Sequence, residues 1–445
     1  MDARRVGLVV AEEYQSKTMN SKRLYERARR YLPGGVTYAV KYWEPYPVYA
    51  KKAKGSRIWD VDGNEYVDFW MGHFAIIMGH AYGPVLDAAR EQIELGAHLG
   101  YCHEWEIEHA RIISEMSPCV ELFRATNSGT EANMYAVRLA RAYTKRSKIG
   151  KFEGNWHGGY DALHKAVNPP LDKPPSLGLT ESTLNDTIAL PYNDIDGVRR
   201  IAKKESLACI VIEPIMGAGG FIPAEREFLR GLRELCDDEG ILLIFDEVIT
   251  GFRLARGGAQ EYYGVIPDLA VFGKTIGGGV FPAGGFGGRA EIMELLDHTK
   301  GRKPYENVFH GGTYAGNPLS TRAGYVVLSE LKKGEVYPKI DGLGEKARSG
   351  LREIFARYGI TAHVTGVGSV FGIHFTQEKP RDIRTATQTR DVERCKRFFR
   401  HLISNGILFL KPDKPVFSIS AAHSDEDIEK LLSLVEDFAR REAKQ

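Results

Sequence analysis

The stretch from Ile241 to Gly288 constrains this chain more than any other. It opens ILLIFDEVITGFR and closes GKTIGGGVFPAGGFGG. Ile241 to Phe245 is a short, unbroken apolar run, which suits a strand buried on both faces of a parallel sheet. Asp246 and Glu247 follow at its C-terminal end, where open α/β sheets place their ligand sites. A second apolar run, Leu269 to Phe272, reaches Gly273-Lys274 and a glycine cluster. Asp246 and Lys274 are 28 residues apart, room for one crossover between neighbouring strands. An acid and a lysine at two such strand ends can face one ligand. Lys274 alone also fits a solvated lysine in a flexible loop, since lysines are mostly exposed. The other reading is an amine that bonds to a carbonyl cofactor, in a loop whose glycines permit close backbone approach. Asp246 alone also fits a cap or a turn.

A chain of 445 residues exceeds one average domain, and 43% hydrophobic residues can build a sizeable core. With 60 basic and 58 acidic residues the net charge is +2, so nothing in the balance selects nucleic acid or a membrane surface as partner. The five cysteines have no paired spacing, which predicts neither a metal site nor a disulfide framework. No apolar run approaches the roughly 18 residues that span a bilayer, and Gly7 to Ala11 is too short for a signal-peptide core. The expectation is a soluble, cytoplasmic protein.

Along the chain, Met1 to about Asn20 reads as an arm and Ser21 to Tyr31 as a helix. Ser56 to Phe69 reads as a hairpin turned by Asp62-Gly63. Helices are expected from Pro84 to Gly96 and from Glu104 to Met116. Glu121 to Thr126 reads as a strand running into Asn127-Ser128-Gly129-Thr130-Glu131 and a helix. That turn is either an ordinary N-cap or an anion site at a helix N-terminus. Lys148 to Phe152 is a strand before EGNWHGG, and Ala208 to Glu213 is another. Val167 to Asn185, with four prolines, reads as a long loop that is either a lid or a plain excursion. Strands alternating with helices through Leu295 indicate a right-handed, mostly parallel sheet. The remainder from about Glu335 reads as α+β.

The ordered set DEVITGFR, GVIPD and GKTIGGG resembles the class III aminotransferases, fold-type I enzymes that use pyridoxal 5′-phosphate (PLP). From about Tyr25 to Ala439 the chain is most similar to the glutamate-1-semialdehyde aminomutases and their aminotransferase relatives. The resemblance implies a large α/β domain with a mostly parallel sheet flanked by helices, plus a smaller α+β domain from both chain ends. It divides the chain into 1–75 (arm and part of the small domain), 76–333 (PLP-binding domain) and 334–445 (the rest of the small domain). It implies that Lys274 bonds the cofactor and moves protons, and that Asp246 pairs with the pyridine nitrogen. Ser128, Gly129 and Thr130 match the phosphate-holding SGT element. Trp156 and His157 match an aromatic-His-Gly element whose aromatic stacks on the ring. Glu213 of the Glu-Pro element falls near the ring substituents. Val248, two residues beyond Asp246 on a segment read as extended, packs on the ring face opposite Trp156. Thr313, in HGGTYAGNP, matches a threonine that reaches the cofactor of the neighbouring subunit, so a homodimer or larger assembly with shared sites is implied. The implied substrates are a small amine or amino acid and a keto acid or aldehyde.

Departures gather on the substrate side. The segment Leu32 to Trp43 resembles the substrate-side loop, but Lys41 stands where the aminomutases carry a carboxylate-gripping arginine. Lysine is a point charge and lacks the bidentate fork. His73 stands in place of a tryptophan, and Lys414 matches a glutamate. These positions favour an aminotransferase over the aminomutase.

Overall fold

The structure, a computed structural model, describes residues 14–444. Most of the arm expected over residues 1–20, and the apolar run Gly7 to Ala11, lie outside the described residues. The chain folds into two compact units. One holds residues up to Tyr82, Pro338–Pro380 and those from Gln388 on; the other holds Gly83–Tyr337 and Arg381–Thr387.

In the first unit the expected hairpin forms: Arg57–Asp60 pairs antiparallel with Glu65–Asp68. Asp60 builds the turn itself, its Oδ1 accepting the N–H groups of Asp62 and Asn64 at 2.9 and 2.8 Å. Asp62 in turn accepts the N–H groups of Asn20 and Ser21 at 2.6 and 2.9 Å, which ties the hairpin to the helix Met19–Ala28. Ile407–Leu408 adds a parallel strand to this sheet. A second sheet joins His363–Val367, Val370–His374 and Val416–Ser418. Met71, Gly72, His73 and Phe74 all have positive φ, a left-handed turn in which three residues carry a Cβ. Each such residue costs on the order of 1–2 kcal/mol.

The second unit is built on one seven-stranded sheet. Its strands are β1 (Leu122–Thr126), β2 (Lys148–Phe152), β3 (Thr187–Leu190), β4 (Leu207–Ile212), β5 (Leu242–Asp246), β6 (Leu269–Gly273) and β7 (Gly284–Gly288). Their spatial order is β1-β7-β6-β5-β4-β2-β3. β5 pairs parallel with β4 and β6, and β2 with β3 and β4. β7 alone is reversed, antiparallel to both β6 and β1. The sheet is therefore mostly parallel, as expected, with the glycine cluster supplying the exception. Glycine is required in β7 by close neighbours: a Cβ on Gly284 would meet the Ser128 carbonyl oxygen at 2.2 Å, and one on Gly288 the Asp268 carbonyl oxygen at 2.2 Å.

Helix α1 (Gly129–Thr144) lies on this sheet. Its Ala132, Ala136, Leu139 and Ala140 share one buried cluster with Ile244, Val271 and Phe286. Helix α2 (Arg226–Glu239) is the crossover between β4 and β5, and ends at Gly240 in the left-handed conformation. Helix α3 (Pro318–Lys332) starts with Asn317 as N-cap and Pro318 in its first turn. The excursion Val167 to Asn185 closes with a short helix, Glu181–Asn185. No helix among the described residues is long and apolar enough to cross a membrane.

Candidate cofactor site at the strand ends

The parallel register of β5 and β6 sets Asp246 opposite Val271, three residues before Lys274. Both strands are fully buried, and their first charged side chains come at the C-terminal ends. Of the two adjacent acids, Glu247 is structural. It is buried and accepts from the Thr250 hydroxyl at 2.7 Å and the Ala259 N–H at 2.8 Å, the latter in the first turn of the helix Gly258–Tyr263. Asp246 faces the other way. Its Oδ2 accepts from Asn133 Nδ2 at 2.9 Å and from His157 Nδ1 at 2.7 Å. Its Oδ1 accepts the Val248 N–H at 3.1 Å. A carboxylate oxygen accepts more than one bond, so Oδ1 has capacity for a ligand donor.

A carboxylate cannot donate, so His157 Nδ1 carries the proton. Burial holds the imidazole below its ordinary pKa, against the pull of Asp246, so the ring is neutral and Nε2 bears a lone pair. That buried Nε2 has no hydrogen-bond partner among the described residues, nor do the buried Asn133 Oδ1 and Asn155 Nδ2.

Val248 corrects one expectation. The segment after β5 is a turn and not an extended strand, because the Asp246 carboxylate takes the Val248 N–H and bends the chain. Val248 still packs at the site: its methyls would lie 2.7 Å from a Cβ on Gly129 and 3.2 Å from one on Gly273. One side chain thus crowds two of these glycines, Gly129 the more tightly.

The SGT turn forms the N-cap that the sequence allowed. Ser128 is the N-cap of α1, its hydroxyl accepting the Glu131 N–H at 3.2 Å. The Glu131 carboxylate reaches back to the Asn127 N–H at 2.8 Å. The N–H groups of Gly129 and Thr130 stand in the first turn, where no intrahelical acceptor exists and the dipole favours an anion. Thr130 Oγ1 accepts the Gly159 N–H at 3.3 Å, joining this turn to the WHGG loop. Gly158, with φ +83°, is required there, since a Cβ would meet Thr130 Oγ1 at 2.0 Å.

Trp156 is 44% exposed, edge-on to His164 with ring centroids 5.2 Å apart, so its indole presents an open face. Its N–H donates to Glu213 Oε1 at 3.3 Å, and Gly217 N–H donates to Oε2 at 2.9 Å. Burial pushes the Glu213 carboxyl up to about 8, Asp246 adds to this, and the two N–H groups and the Lys274 charge oppose it.

Lys274 does not sit in a flexible loop. The residues after it, Thr275 to Gly277, are buried. The buried His109 donates to the Ile276 carbonyl at 2.8 Å, and burial pulls its imidazole down to about 4. Lys274 itself has φ +50°, a strained conformation for a residue with a Cβ. Thr313 is exposed, on a turn held to α1 by Tyr135, whose hydroxyl donates to the Gly311 carbonyl at 2.7 Å. Its neighbours Phe309 and Tyr314 are exposed as well.

Lys41 and His73 belong to the first unit. They are brought together there: Tyr38 OH bonds His73 Nδ1 at 2.6 Å, and Lys41 Nζ lies 5.3 Å from the Tyr38 ring centroid. Tyr38, Asn133 and Asn155 escaped the sequence reading. Asn155 stands inside the EGNWHGG element, so its place was visible, but asparagine in a loop is most often a turn former. No group of acids, histidines and cysteines among the described residues is arranged to hold a metal ion.

A helix N-terminus, a buried acid at one strand end, a lysine at the next and a part-exposed indole are the chemistry that the second unit offers. The chain belongs to the class-III aminotransferases, a PLP-dependent family whose model (Aminotransferase class-III) matches residues 37–438. Among curated proteins it is 42% identical over 423 residues to the glutamate-1-semialdehyde 2,1-aminomutase of Methanosphaera stadtmanae, covering 94% of this chain and 98% of that one. Among solved structures, an omega-transaminase from Sphaerobacter thermophilus is 37% identical with a TM-score of 0.89, covering 96% of this chain and 98% of that one. A glutamate-1-semialdehyde aminomutase from Pseudomonas aeruginosa is 26% identical with a TM-score of 0.88, covering 98% of each.

Proposed function

We propose that this chain is an aminotransferase, moving an amino group between an amine or amino acid and a keto acid or aldehyde. The residues present fit PLP. The first-turn N–H groups of Gly129 and Thr130, with the Ser128 and Thr130 side chains, suit its phosphate. Asp246 Oδ1 suits its pyridine nitrogen, and the open face of Trp156 suits its ring. When bound, the cofactor supplies an electron sink for a carbanion at the amine-bearing carbon. The chain's own work is then narrow. The Lys274 amine would hold the cofactor covalently and, once displaced by the donor, would serve as the base that moves a proton at the donor carbon. Asp246 would pair with the ring nitrogen, and the His157 Nδ1–H bond holds the Asp246 carboxylate in place. Glu213 sits beside the Lys274 charge and takes up or releases a proton near neutral pH.

The choice of aminotransferase rests on Lys41. With no guanidinium fork, it attracts a substrate carboxylate but orients it loosely. His73, bonded to Tyr38, replaces an aromatic wall with a polar pair. An aminomutase must retain its diamino intermediate while the amine changes carbon, and a looser pocket releases it. Among the two solved structures compared, the 37% identity to the Sphaerobacter transaminase against 26% to the Pseudomonas aminomutase supports the same reading. The second reading, glutamate-1-semialdehyde 2,1-aminomutase, is supported by the 42% identity to curated aminomutases.

Rates measured on glutamate-1-semialdehyde alone, and on amine donors with pyruvate or 2-oxoglutarate, separate the two. Amino transfer is expected to be the faster reaction. Fast 5-aminolevulinate formation with no transfer to any keto acid would sink the first reading. Lys41→Arg should improve kcat/KM for carboxylate-bearing donors by about tenfold, a bidentate charge-assisted pair contributing roughly 1.5 kcal/mol beyond a point charge. Simple amines should be nearly unaffected.

The proposed active unit is a dimer in which Thr313 completes the partner's phosphate site. The exposed Phe309 and Tyr314 beside it support an interface there. Thr313→Ala should weaken PLP binding about tenfold, the loss of one bond to a charged group. Mixed with Lys274→Ala chains, it should regain activity on subunit exchange. In the heterodimer one site carries both lesions and the other carries neither. Absence of recovery despite proven exchange means that each chain builds its site alone.

A further inference from the structure

Lys151 is fully buried in β2, the strand that leads into Asn155-Trp156-His157. Lysine is seldom buried without an acid bonded to it. Here Nζ donates to two main-chain carbonyls, those of Asn155 and Lys165, each at 2.8 Å. Asn155 is held at its other end too, its Oδ1 accepting the Glu213 N–H at 2.8 Å. The next two residues reach the acids of the site: Trp156 N–H to Glu213, and His157 to Asp246. The ammonium therefore fixes the carbonyl at the head of the tripeptide that carries both.

The second carbonyl extends the staple. Beside Lys165, the Ala166 carbonyl takes the Gly154 N–H at 2.9 Å. The Lys165 ammonium then donates to the carbonyls of Leu184 and Thr187 at 2.8 and 2.7 Å, closing the base of the 167–185 excursion. Electrostatics run through the same residue. Burial pulls Lys151 down to about 7, and Glu213 and Glu153 pull it back up. Its charge also lowers the pKa of His157.

We propose that Lys151 is a positioning residue of the cofactor site, clamping the Asn155 and Lys165 carbonyls so that Trp156 and His157 are presented to the ring, and carrying, when protonated, a buried charge that acts on Glu213. This rests on the assignment of Trp156 and His157 to the cofactor.

Three variants test it. Lys151→Met removes charge and donors at similar length, Lys151→Gln keeps one donor without charge, and Lys165→Met removes a comparable clamp at the excursion. In the apo protein, amide exchange over residues 153–158 should rise about tenfold in Lys151→Met, and over 167–187 but not 153–158 in Lys165→Met. The PLP dissociation constant should rise about tenfold in Lys151→Met and stay within about twofold in Lys165→Met. The pH at which the bound cofactor's absorbance titrates should move upward in both Lys151 variants. Removing a cation raises the proton affinity of the groups it acts on, here Glu213 and His157.

Weaker binding with an unmoved titration would mean packing alone and overturn the proposal, as would unchanged affinity. Insolubility of both Lys151 variants beside a folded Lys165→Met would make Lys151 a core residue and overturn it too. Trp156→Ala separates the underlying assignment. If it leaves PLP affinity unchanged, the assignment to the ring fails. If it weakens binding while the Lys151 variants do not, only the role of Lys151 falls.

Discussion

Lys274→Ala should bind PLP without bonding it and turn over no detectable product. Proton transfer by a positioned base contributes about 10²–10⁴-fold, and the lost covalent tether removes a further route of exchange. Binding should survive, because the SGT turn and Asp246 do not depend on the lysine. The absorbance of free cofactor in place of the lysine-bound form reports the tether directly. Fold should survive as well: Lys274 has φ +50°, and alanine meets the same strain there. Lys274→Gly should be just as inactive yet no less stable than Lys274→Ala, since glycine adopts that conformation without the ~1–2 kcal/mol that a Cβ costs. Turnover near wild type in either variant would remove Lys274 from the chemistry.

The strand ends were legible because they are apolar runs stopped by charge, and burial on both faces leaves little else for such runs to do. The helix Glu104–Met116 and the strand Lys148–Phe152 fall where periodicity puts them. The glycine strand β7 was not legible. Nothing in GGFGG predicts an extended segment, and its reason lies in neighbours distant in sequence, the carbonyls of Ser128 and Asp268. Likewise the residues alone do not rank Asp246 above Glu247; the resemblance picks Asp246, and the Thr250 hydroxyl and Ala259 N–H that claim Glu247 give a physical reason. The left-handed turn Met71–Phe74 carries no local cue either, since three of its four residues are ordinary L-residues. Lys151 was in plain view in KFEGNWHGG, but a lysine within a strand reads as an exposed edge until its burial is known.

Asp246→Asn should hold PLP yet lose on the order of 10²–10³ in kcat, the scale of deleting one preorganised electrostatic partner. The geometry says why an isosteric change is so severe. Oδ2 receives two donors, Asn133 Nδ2 and His157 Nδ1, and Oδ1 receives the Val248 N–H. An asparagine amide has one oxygen for these positions. With the oxygen toward Asn133 and His157, the new NH₂ faces the Val248 N–H and points a donor where the ring nitrogen needs an acceptor, which favours the unprotonated ring. With the amide flipped, the NH₂ confronts Asn133 and drives His157 to its other tautomer, with the proton on the buried Nε2. Neither arrangement restores the charge. A second readout follows from the same change: Asp246 helps hold Glu213 up near 8, so its neutralisation should bring the Glu213 titration down. The basic limb of PLP binding against pH should move down with it. Activity within a few-fold of wild type, together with an unmoved limb, would show that Asp246 is not the partner of the ring.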